Sequence, residues 1–265
     1  MLTDLTSEFY GILSALEALA LFAGMLLCME AGRRLALKKG KLEDSPGAGA
    51  IDGAVFALLG LLLAFTFAGA YDRIEARDLA AIEEANAIGT ADKRLDTLPA
   101  PARARLRSLL RDYTGARVEE YRTIRRAESH ARAAAHTAGL KAALWREAVE
   151  TCRRETYPHA APLVLAGLNQ AFDNADTRDF LGRIHPPGAV YVLLYAMTLL
   201  SAVLAGYRLA DKHGRSWLHR LSFAAATSVT LFIILNLEHP LFGLLGVKTL
   251  QLPVDAVHLA ISERP

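Results

Sequence analysis

Eight histidines, two cysteines and 28 acidic side chains could supply metal ligands, nucleophiles or general acids. Their spacing argues against each of these. A metal pair on a helix uses ligands four residues apart on one face, whereas His130 and His136 stand six apart and a helix would turn them to different faces. The other histidines are scattered, as surface residues are. No phosphate-cradling glycine loop, dinucleotide fingerprint or serine elbow occurs. The arginines from Arg103 to Arg126 are interleaved with Glu and Leu, a poor match to a nucleic-acid surface. Cys28 follows Met25-Leu26-Leu27, without the small residue expected beside a lipidated cysteine. Cys152 lies in a polar stretch, so no intrachain disulfide is expected. The chain therefore reads as a non-enzyme without metal, cofactor or nucleic-acid partner. One ionisable group stands out. Glu17 sits inside an apolar run, where an unpaired charge is costly and must face protein or water, or take a proton. Roles as a pathway residue and as an interfacial snorkeller both remain open.

The elements that would carry such a group are membrane spans. Hydrophobic residues make up 52% of the chain and charged ones 22%, and the two are segregated along it. About 20 apolar residues at about 1.5 Å each cross a hydrocarbon core of about 30 Å. Four runs meet that length or come near it, at about 10–29, 53–70, 188–207 and 221–237. The leader MLTDLTSEFY has no Lys or Arg and two acids, the reverse of a targeting n-region, so the first run is expected to be kept as a helix. The division expected is a transmembrane hairpin over 1–70, a helical extramembrane domain over 71–187, a second hairpin over 188–237 and a tail over 238–265. Small residues in the first two spans (Ala15, Ala18, Gly24, Gly53, Gly60) suit close helix packing.

From Gly53 to Arg77 an uncharged run passes without a turn signal into a charged helix, with only Gly89 to interrupt the next stretch. The polar region that follows is rich in Ala, Arg, Leu and Glu. Breaks are expected at Pro99 and Pro101, near Gly139, and at Pro158 and Pro162. These predict a continuation to about Leu98, then helices from Pro101 to about Thr137, Leu140 to Tyr157 and Pro162 to about Arg183. Leu106, Leu109, Leu110, Tyr113 and Val118 recur at helical spacing and should bury one face of a bundle. The Arg and Glu residues at spacings of three and four read as a solvated surface.

Basic residues collect in two short connections: Arg33, Arg34, Lys38, Lys39 and Lys41 after the first span, and Arg208, Lys212, Arg215 and Arg220 after the third. The positive-inside rule makes both cytoplasmic and puts the helical domain outside.

LLLAFTFAGAYDRIEARDLA resembles the second transmembrane helix of bestrophin ion channels at Tyr71, Arg73, Glu75, Ala76 and Arg77. RIHPPGAVYVLLY is similar to the segment leading into their third span, with Arg183, Pro186 and Pro187. Glu238, Pro240 and Gly243 resemble the family's acidic, proline and glycine segment after the fourth. Bacterial bestrophin-like proteins of unassigned function are nearer still, since they carry an EEANAIGTA segment, Glu83 to Ala91 here, which includes Glu84.

The resemblance implies an all-α membrane protein with four spans and a helical insert between the second and third. It also implies a homo-oligomer in the bacterial inner membrane, a pentamer by analogy, that conducts small inorganic ions passively. Chloride is the ion that the wider family implies, and bestrophins keep their helical domain in the cytosol, opposite to the charge count. Carrying the family's apolar neck over through Tyr71 points to Ala57, Leu61 and Phe65, which share a face at four-residue spacing. A ring of such residues gates by dewetting. Asp72, Glu83 and Asn86 continue that face, and rings of carboxylates favour cations. The alternative is a membrane-anchored sensor or scaffold whose helical bundle binds a ligand or partner. Pro240 and Gly243 are expected to end the last helix.

Overall fold

The structure is a computed structural model that describes residues 4–39, 46–124, 126–154, 159–210, 217–238 and 252–263. The described residues are helical, with no strand among them. In chain order the helices are α1 (Asp4–Lys39), α2 (Pro46–Arg94), α3 (Ala100–Arg122), α4 (Ala127–Arg154), α5 (Ala160–Arg183), α6 (Gly188–Arg208), α7 (Trp217–Glu238) and α8 (Leu252–Ser262).

Four helical stretches are long and apolar enough to cross a membrane: Leu13–Lys38, Gly49–Thr97, Ala160–Arg208 and Trp217–Glu238. The third includes α5 and the break at Ile184 to Pro187, and its apolar part is α6, where Arg208 is the only charged residue. The expected class, an all-α membrane protein with four spans, is what the structure has.

The chain divides into two compact units. Unit 1 comprises Met1–Glu8, Arg73–Ile184 and Gly246–Pro265; unit 2 comprises Phe9–Asp72 and His185–Leu245.

In unit 1, α3 packs along α4 and α8, and α4 along α5. Leu95, Leu106, Leu110, Tyr113, Leu144, Leu168 and Phe172 form its core, which Val254 and Ile261 of α8 complete. Phe172 makes tilted contacts with two rings, Tyr113 at 5.3 Å and Trp145 at 6.3 Å between centroids, the geometry that the ring quadrupole prefers. After α2, a 3-10 turn at Leu95–Thr97 ends the helix and Pro99 occupies the N-cap position of α3.

Two boundaries differ from expectation. The helix predicted from Pro101 to about Thr137 stops at Arg122, where the Thr123 hydroxyl donates to the Glu119 and Glu120 carbonyls at 2.8 and 3.0 Å. Thr123 N still bonds Glu119 O, but Ile124 N turns to Tyr121 O at 3.3 Å, a bond to the third residue back that ends the α-helical ladder. The break predicted near Gly139 is absent, and α4 runs through it. One exposed glycine costs a helix only about 1 kcal/mol, and this helix is anchored by buried Leu144 and Ala148.

In unit 2, Met25 and Met29 of α1 pack against Ala202 and Ala205 of α6 and Ala224 of α7. Leu194 of α6 meets Leu231 and Ile234 of α7, with Leu62 and Leu63 of α2 packed alongside. Gly32 and Gly206 let α1 and α6 approach backbone to backbone. A Cβ on Gly32 would lie 2.1 Å from the Val203 oxygen, and one on Gly206 1.9 Å from the Met29 oxygen. This is the small-residue packing used where lipid supplies no hydrophobic drive.

Candidate functional site

Helix α2 divides into a packed face and an open one. On the packed side Leu59, Thr66 and Ala70 are buried, the Thr66 hydroxyl donates to its own helix at Leu62 O (2.6 Å), and Phe56 meets Phe223 edge-on at 5.8 Å. The three residues expected to line a neck lie on the open side. Ala57 is exposed, Leu61 is 49% exposed and Phe65 67%. The open side is broader than that line, because Leu58, Gly60, Ala64, Phe67 and Ala68 share it. An apolar surface this long in a membrane-spanning segment is covered by lipid tails or by other protein.

The polar residues expected along the same face are also exposed: Asp72 in unit 2, and Glu83 and Asn86 in unit 1. Glu83, Asn86 and Thr90 line a recess of about 310 Å³ with Gln170 and Asn174 of α5. The Asn174 side-chain amide donates to Glu83 O at 3.0 Å. The recess thus gathers side-chain amides, a hydroxyl and one carboxylate.

Glu84, the next residue, has the opposite fate. It is fully buried, and its two oxygens each accept from a different arginine, Arg117 Nε of α3 and Arg178 Nη1 of α5, both at 2.7 Å. Arg117 also donates to Glu120 (3.1 Å) and to both oxygens of Asp179 (3.1 and 3.2 Å). The Tyr121 hydroxyl donates to Asp179 at 2.8 Å, and the Arg178 guanidinium lies 3.6 Å over the Tyr121 ring, a cation–π contact. Burial works against the charge on Arg117, but Glu84, Tyr121 and Asp179 outweigh it, so its proton is held more tightly than on a free guanidinium. Burial likewise pushes the Tyr121 phenol above its ordinary range, although Arg178 and Arg117 pull the other way. A smaller clamp has Arg107 of α3 on Asp92 (2.9 Å) and Asp96 (2.7 Å).

These clamps correct the reading of the Arg and Glu residues as a solvated surface: Arg107, Arg117, Glu120 and Arg178 are buried. The sequence does carry a signal for them. Arg117 falls in register with Leu106, Leu110 and Tyr113, and Arg178 with Leu168, Ala171 and Ala175. A charge standing in an apolar stripe announces a buried, paired group.

The remaining motif residues are spread over both units. Arg77 is buried and donates to Leu181 O (3.2 Å) and Ile184 O (3.0 Å), closing the end of α5. Tyr71 and Glu75 are exposed and Arg73 half-buried. Pro187 occupies the N-cap position of α6 and accepts from Val190 N at 2.9 Å, with half-buried Pro186 before it. Glu238 is fully buried at the end of α7. Pro240 and Gly243 lie outside the described residues, as do Pro158, Lys41, Lys212 and Arg215. Glu17 accepts from the Tyr195 hydroxyl of α6, which gives the intramembrane carboxylate a partner.

A family model described as the Bestrophin-like domain matches residues 10–252. A comparison with curated proteins finds no match. Among solved structures, a bacterial bestrophin homologue from Klebsiella pneumoniae, bearing a point mutation, is similar at a TM-score of 0.68 and 15% identity. The match covers 94% of this chain and 99% of that one. A structure described as a membrane protein matches with the same score and identity over 92% of this chain and 99% of that one.

Proposed function

Because the chain belongs to the Bestrophin-like family, we propose that it forms an oligomeric membrane pore through which small ions pass passively, lined by α2. The observation that carries this reading is the open face of α2. Leu61 and Phe65, at neck spacing, are left uncovered by the rest of the protomer. In a ring of copies, a pentamer by family analogy, Ala57, Leu61 and Phe65 would form an apolar constriction that conducts only when wetted. Asp72, Glu83 and Asn86 would meet the ion beyond it. Their carboxylates oppose the chloride preference of the wider family and favour cations. The bacterial inner membrane is the proposed location.

The test is electrical. The purified oligomer is reconstituted in a planar bilayer and currents are recorded in a salt gradient for wild type, Leu61→Ala and Phe65→Ala. Larger unitary currents in the variants support the neck, and the wild-type reversal potential gives the sign of the ion. A bilayer that stays silent over a range of voltage and pH would sink the pore and favour a membrane scaffold.

A further inference from the structure

We propose that Arg34 of α1 and Arg220 of α7 form a binding site for the phosphate of an anionic phospholipid at one end of unit 2. The inference is independent of the conduction reading and would hold for a silent scaffold as well.

The centre of the site is Glu30. Its Oε2 accepts from Arg33 Nε at 2.8 Å and its Oε1 from Arg34 Nε at 2.9 Å, with a further bond from Arg33 Nη2 to Oε1 at 2.9 Å. Arg220 comes from the other side and reaches Oε2 only at 3.5 Å. One carboxylate therefore serves three guanidiniums, and two of the three are under-supplied. Among the described residues Arg34 has only its Nε on Glu30, and its side chain is 77% exposed. Arg220 is mostly enclosed, and its Nε is buried with no hydrogen-bond partner among the described residues.

An enclosed guanidinium donor without an acceptor is costly, and an excess of positive charge beside apolar surface attracts an anion. A phosphate supplies several strong acceptor oxygens to a guanidinium fork. The surroundings identify a lipid as its source. Trp217 and Leu218 precede Arg220 on α7 and are exposed, and an exposed Trp beside a basic cluster at the end of a span is the pattern of the headgroup layer. Gly32 lies against Val203 and Tyr207, so α6 ends near the level of this cluster. Arg208 there is bonded to Asp52 and is not needed for the site.

Trp217 also provides the probe, since Trp145 is the other tryptophan in the chain. In a Trp145→Phe background the oligomer is placed in nanodiscs of zwitterionic lipid, and brominated phosphatidylglycerol or brominated phosphatidylcholine is added at equal mole fraction. Phosphatidylglycerol should quench Trp217 preferentially. Each of Arg34→Ala and Arg220→Gln should weaken that preference about five-fold, as expected for one basic residue near an anionic surface. Arg146→Ala, an exposed residue of unit 1, should leave it unchanged. Equal quenching by the two lipids, or a preference that survives the double variant, would overturn the proposal. Inorganic phosphate is the third arm, compared with chloride at matched ionic strength. If it abolishes the preference when chloride does not, the lipid assignment falls in favour of free phosphate. A preference that withstands it supports the lipid. Circular dichroism melting of each variant shows that it is folded.

Discussion

Gly206 stands against Met29 so closely that a Cβ on the glycine would sit 1.9 Å from the Met29 carbonyl oxygen. The atom in the way is backbone, so no rotamer change relieves the clash. Gly206→Ala and Gly32→Ala should each force α1 and α6 apart and lower the melting temperature and yield of monodisperse protein. Gly53 and Gly60 meet nothing within 4 Å of a built Cβ. Their alanine variants should melt as wild type does, which size-exclusion chromatography and thermal unfolding will check.

Removing Glu84 takes away the buried carboxylate that Arg117 and Arg178 share and leaves Arg117 with Glu120 and Asp179 alone. Glu84→Ala should destabilise by about 3–5 kcal/mol, the range for breaking a buried ion pair. Replacing Glu84, Arg117 and Arg178 by methionine together with Glu120→Gln should cost less than the single change, because it removes the buried charges as well as their attraction. Chemical denaturation of the two variants followed by circular dichroism decides the order.

Alkaline pH should weaken unit 1. Burial pushes the phenols of Tyr113 and Tyr121 above their ordinary range, so both stay protonated in the folded state at pH values where the unfolded chain has begun to lose those protons. The folded state then binds more protons, and stability falls as pH rises above the unfolded value of about 10. Below that pH the contribution is fully present. Tyr113→Phe and Tyr121→Phe should flatten the decline above about pH 10, in melting curves recorded as a function of pH.

If α2 lines an ion path, its exposed carboxylates set the sign of the carried charge. Asp72→Asn combined with Glu83→Gln should move the reversal potential in a salt gradient toward that of the anion. It should leave the melting temperature within about 0.5 kcal/mol equivalent of wild type, as exposed substitutions do.

The span pattern was readable because length and apolarity are local properties of a sequence. So was the passage of α2 from an apolar to a charged helix, since no proline interrupts it after Pro46. The clamp was not readable as a whole. The stripe positions of Arg117 and Arg178 mark them as buried, but nothing in the spacing says that both meet Glu84, which lies 33 and 94 residues away. Pairing of that kind depends on how three helices are stacked. The stop at Thr123 was hidden for a related reason. A hydroxyl folding back on carbonyls of its own helix occurs both inside helices, as at Thr66 and Thr114, and at their ends. The open face of α2 held every residue that the sequence had placed on one line, together with neighbours that a four-residue spacing cannot separate from it.

Val254 and Ile261 close the core of unit 1, yet they are made only after α6 and α7. During synthesis the ribosome must deliver two more spans to the insertion machinery while α3 to α5 wait with an apolar gap where α8 will dock. The core of the helical unit is therefore complete only once both later spans have been synthesised.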